Sequence, residues 1–72
     1  MNDERRKEFV ADIFAAVTDA TRIALLMNKR NPTRAEASAH AQNLHHAGSV
    51  LKITAQCIRA ETHPQKERSE NK

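Results

Sequence analysis

Tryptophan and tyrosine are absent from this 72-residue sequence, and it holds only one glycine, two prolines, two phenylalanines and one cysteine. Each scarcity excludes something. A single glycine leaves no Gly-rich loop to cradle a phosphate. A single cysteine, Cys57, closes no intramolecular disulfide, and no Cys or His cluster has the spacing of a structural zinc site. No run of about 18 apolar residues is present to span a membrane. Without Trp or Tyr, the usual stacking platforms of single-strand nucleic-acid binding are missing. No apolar run follows a basic stretch at the start, so no signal peptide is read. With the lone thiol, this gives a cytoplasmic, reducing setting as the expectation.

What remains is rich in Ala, Arg, Lys, Glu and Gln, the composition of helices. Strand-forming residues are too scattered to compete. The net charge is +3, of which the segment from His63 to Lys72 supplies one, because Lys66, Arg68 and Lys72 outnumber Glu67 and Glu70 by one. That balance permits an acidic partner without demanding one.

Breakers fall in two places, at Asn31-Pro32-Thr33 and at Pro64. They predict a helix over about residues 3–30, a turn over about 31–33 and a second helix over about 33–62, forming one hairpin unit over residues 1–62. Residues 63–72 form a polar tail for which disorder is the expectation. Asp3 and Glu4 suit the positive end of the first helix dipole, and Lys29 and Arg30 suit its negative end. Thr33 with Glu36 three residues on is a capping box; the competing start places Asn31 at the cap and Pro32 at the first helical position.

Apolar residues recur at intervals of three and four in both segments. Val10, Ile13, Val17, Ala20, Ala24 and Met27 in the first, with Ala37, Ala41, Leu44, Gly48, Leu51, Ala55 and Ile58 in the second, predict the seam of an antiparallel pair. Gly48 in phase with that seam predicts a close approach of backbones, the rival being a helix break near His46-Ala47. A second set, Phe9, Ala16 and Ile23 with Ala47, Val50, Thr54 and Cys57, is expected to form an outward apolar strip and to be the protein interface. So small a chain buries a modest core alone. The fold class read from this is all-α: an antiparallel hairpin of two long helices, expected to pair into a dimeric four-helix bundle. In length and helix layout alone it resembles the small helical-hairpin dimers that plasmids, phages and secretion systems use as regulators and chaperones.

Arg34, His45, Lys52 and Arg59 share an edge of the second helix and are candidate contacts to phosphate or an acidic partner, with Asp12 and Asp19 expected to neutralise them in part. Of the four histidines, no two stand at the i, i+4 spacing that brings two imidazoles onto one metal, so no metal site is assigned. No catalytic or cofactor-binding residue is assigned either. Cys57 has no His one turn away to activate it, and the Ser and Thr residues lack an assembled base and oxyanion site. The leading expectation is a non-enzymatic protein-interaction module, a regulator, inhibitor or chaperone-like adaptor, whose partners are itself as a homodimer and another protein. A nucleic-acid-binding regulator using the basic stripe and a purely structural dimer are the alternatives.

Overall fold

The computed structural model describes residues 1–62; the tail segment from residue 63 onward, with its expected disorder and His63, lies outside the described residues. Two α-helices account for nearly all of it: α1 (Asp3–Lys29) and α2 (Arg34–Thr62), packed against each other as a hairpin. Among the described residues there is no strand. Among the described residues no helix is long and apolar enough to cross a membrane.

Local chemistry explains the ends. The side chain of Asn2 accepts from the Arg5 backbone N–H at 2.8 Å, and its carbonyl takes the Arg6 N–H at 3.0 Å, so two otherwise orphaned donors are satisfied where α1 begins. Asp3 and Glu4 fill the first turn and Lys29 the last, in keeping with the helix dipole. Arg30, in extended backbone, ends α1 without help from glycine. The second helix starts at the Thr33 capping box: the Glu36 N–H donates to the Thr33 Oγ1 at 3.2 Å, and the Thr33 N–H donates back to a Glu36 oxygen at 2.9 Å. The competing start at Asn31 is therefore not the one adopted.

Two ion pairs fix the register. At the open end Arg5 meets Glu61 at 3.3 Å, and at the turn Arg30 grips both oxygens of Glu36, each at 2.8 Å. Residues about equally far from the turn are thus level, and Thr18 lies level with Gly48. Between these clamps the buried residues are Phe9, Ala16 and Ile23 of α1 with Ala47 and Thr54 of α2. Ile13, Ala20, Val50 and Cys57 are half-buried beside them. The Arg5 guanidinium lies over the Phe9 ring, 4.6 Å from its centroid, and so joins the clamp to the core.

This corrects the expected phase. The strip expected to face outward, Phe9, Ala16, Ile23, Ala47, Val50, Thr54 and Cys57, is the intrachain seam, and these residues are covered by the chain itself. The stripes expected to form the seam turn largely to solvent, with Val10, Val17, Met27, Leu44 and Leu51 all exposed. Each helix is rotated by one residue, about 100°, from the expected seam. That rotation turns the bulky Phe9 inward and lets Arg5 meet Glu61 and Arg30 meet Glu36 at the ends. A short connector between the helices gives little freedom to undo it.

Gly48 is corrected too. Helix α2 runs through it without a break, and nothing lies within 4 Å of where its Cβ would stand. No backbone of this chain approaches it. A glycine inside a helix costs about 1 kcal/mol relative to alanine, and nothing within the hairpin offsets that.

Candidate interaction face

Successive helical residues step by about 100°, and the two antiparallel helices are traversed in opposite senses. Residues one step after the seam on each helix therefore point to the same side of the hairpin, and residues one step before it point to the other. The second of these sides is visible directly: Asp19, Arg22 and Ile23 of α1 share a recess with Asn43 and His46 of α2. The first side carries Val10, Val17 and Ala24 of α1 and Ala41, Gly48 and Ala55 of α2. Ile13, Ala20 and Met27, with Leu44 and Leu51, fill the space between those rows and the seam.

The two sides differ in chemistry. The recessed side mixes Glu8, Asp12, Asp19 and Arg22 with His46 and Asn43, and its exposed apolar residues, Leu26 and Ile53, stand among these polar groups, as on a solvated surface. The other side is apolar along α2 from Ala37 through Ala55, without an intervening charge in the stripe. Its larger side chains are open to water: Val17 is 47% exposed, Leu44 43% and Leu51 37%. Continuous apolar surface of this extent is uncommon on a monomeric soluble protein. Phe14 and Leu25, further round α1 and exposed, widen it at one edge.

Sequence reasoning found these residues but assigned them to the wrong contact, since it read Val10 to Met27 and Ala37 to Ile58 as the internal seam. The available signal was electrostatic. Arg5 with Glu61 and Arg30 with Glu36 are opposite charges at matched distances from the turn, and both pairs close in the observed rotation of the helices.

Arg34, His45, Lys52 and Arg59 are all exposed and line the outer edge of α2, next to the apolar face. None of them enters an ion pair among the described residues. The expected neutralisation by Asp12 and Asp19 does not occur; Asp19 sits beside Asn43 and His46 on the other side of the hairpin. The basic edge therefore keeps its charge.

At the turn, the Arg30 guanidinium and then the Thr33 backbone N–H hold the Glu36 carboxyl down at about 2, from an ordinary 4.5. His40 lies near this clamp, sharing a recess with Met27, Arg30 and Glu36. Among the described residues no group of three or more His, Cys, Asp or Glu side chains is placed to hold a metal ion.

Comparison with protein-family models, with curated proteins and with solved structures finds no match.

Proposed function

We propose that the protein is a small non-enzymatic interaction module, a regulator, inhibitor or chaperone-like adaptor, that works by covering the apolar face of its hairpin with helices of another polypeptide. One observation carries this reading. The stripe of α2 with no polar side chain from Ala37 to Ala55 faces water, while the stripe it turns to α1 includes Glu36, His40 and Thr54. Burying Leu44 and Leu51 in full is worth about 1.5–3 kcal/mol each relative to full exposure, and the hairpin alone leaves much of that unrealised. A four-helix bundle made by two hairpins is the assembly that hides most of this surface with the fewest new elements.

The test is a charge placed in the middle of the face. Leu51→Asp should leave the helical content of the dilute chain near that of wild type while weakening association at least about a hundredfold, since an unpaired charge buried at an interface costs several kcal/mol. Ile53→Asp, on the opposite side of α2, is the control and should leave both helical content and association near those of wild type. Sedimentation over a range of concentrations, with binding of a fluorescent apolar dye, reads both. A wild-type chain that neither associates nor binds the dye would remove the proposal.

The uncompensated basic edge favours a second reading, contact with a phosphate backbone by Arg34, Lys52 and Arg59. Salt-sensitive binding to generic DNA or RNA that disappears with Lys52→Ala and Arg59→Ala would establish it in place of the first.

A further inference from the structure

We infer that the occupant of the apolar face is a second copy of this chain, seated about a twofold axis parallel to the helices so that α1 of each copy lies along α2 of the other. This inference rests on the interaction reading and adds to it the identity of the partner and the geometry of docking.

A closed twofold with its axis along the helices permits no sliding, so each residue of α1 must meet the residue of the partner's α2 that stands level with it. The clamps Arg5–Glu61 and Arg30–Glu36 state which residues those are. At that fixed offset the sizes match. Val17 lies within one residue of the level of Gly48 of the partner subunit, and Leu44 of the partner subunit falls between the levels of Ala20 and Ala24. Large meets small at each of these levels, as close packing requires.

Gly48 supplies a second line of support. It stands in the middle of the face with open space where a side chain would be, and a helical glycine is unfavourable without a reason. The valine of a second copy, arriving at that level, is a reason.

Area is the third. A helix of 27 residues is about 40 Å long, and two helices side by side present a strip about 20 Å wide. The whole strip, apolar rows and polar ends together, thus offers about 800 Å² per copy, the size of a standard stable interface. Charge does not oppose the union. The basic residues of α2 sit on the outer edge, and at the open end Arg6 is held by Asp3 at 3.6 Å.

The experiment uses the full chain with Cys57→Ser as background. Val17→Cys and Gly48→Cys are made separately, mixed, and oxidised, and the products are separated without reductant; wild type is sedimented well above micromolar concentration in parallel. A cross-linked dimer in the mixture and in neither parent alone is the expected result, because the two thiols meet only between copies and disulfide closure requires Cβ atoms within about 4.5 Å. Cross-linking of Gly48→Cys with itself would overturn the inference in favour of a perpendicular axis with α2 on α2. A wild-type chain that remains monomeric while binding apolar dye in a Leu51-dependent way would overturn the second copy and leave the interaction reading intact. A monomer that binds no dye would overturn both.

Discussion

Along α2 two stripes run side by side, one residue apart. The stripe turned toward α1 carries Glu36, His40, Ala47, Val50, Thr54, Cys57 and Ile58; the stripe turned to solvent carries Ala37, Ala41, Leu44, Gly48, Leu51 and Ala55. In a hairpin that met all its needs by itself the polarity would run the other way. The difference separates two jobs. Electrostatic clamps at the ends and Phe9 orient the helices, whereas the larger apolar stripe is left to drive something beyond the hairpin.

Substitutions of similar chemistry in the two stripes break or sharpen that comparison. Phe9→Ala should have the largest effect, a loss of about 3 kcal/mol or somewhat more, since truncating a buried phenylalanine typically costs 3–5 kcal/mol and the Arg5 contact goes with it. Because the ring belongs to the seam, the loss should appear in urea unfolding at every protein concentration. Val17→Ala should cost little at high dilution and should weaken association by roughly tenfold, the equivalent of about 1.4 kcal/mol. Equal costs for the two changes in the dilute chain would mean that the stripes are not functionally distinct.

Gly48→Ala sharpens the comparison further because two opposite signs are expected from one methyl group. In the isolated hairpin the new Cβ meets nothing within 4 Å, so helix stability should rise by about 1 kcal/mol. In the assembled state the same methyl group occupies the space facing Val17 of the partner subunit, and association should weaken. Thermal unfolding at low and at high concentration should therefore move in opposite directions. A uniform gain at both would show that the glycine makes no room for anything.

Both helices, the turn and the capping box were legible in the sequence because they depend on local signals: Thr33 with Glu36, Pro32, and apolar recurrence at three and four residues. The rotation of the helices about their axes was not. Two stripes one residue apart are both apolar at helical spacing, and Ile13 and Ala20 lie between the seam and the face on α1, so periodicity alone does not choose between them. The observed rotation goes with contacts that periodicity does not register, Arg5 with Glu61 from opposite ends of the hairpin and Arg30 with Glu36 across the turn, together with the bulk of Phe9. Side-chain size favoured Val17 against Gly48, and the structure shows that this match is not spent within the chain. The candidate face was thus visible as a set of residues and invisible as a surface.

If the clamps select which stripe faces inward, weakening the one at the turn should loosen that selection, and acid is the mildest way to do it. The Glu36 carboxyl is held at about 2 in the folded hairpin against 4.5 for the free group, chiefly by the Arg30 guanidinium. A folded value below the unfolded one contributes stability that is complete above about 4.5 and is lost as the pH falls toward about 2. Since the pair is open to water, the effect should be the smallest of those described here. Glu36→Gln isolates it, because glutamine can still complete the capping box with Thr33 while forming no ion pair with Arg30. The unfolding temperature of wild type should drop more steeply between pH 4.5 and 2 than that of the variant. Parallel slopes would show that the turn clamp contributes no pH-dependent hold on the register, and would shift the weight of orienting the helices to Phe9 and the open-end pair.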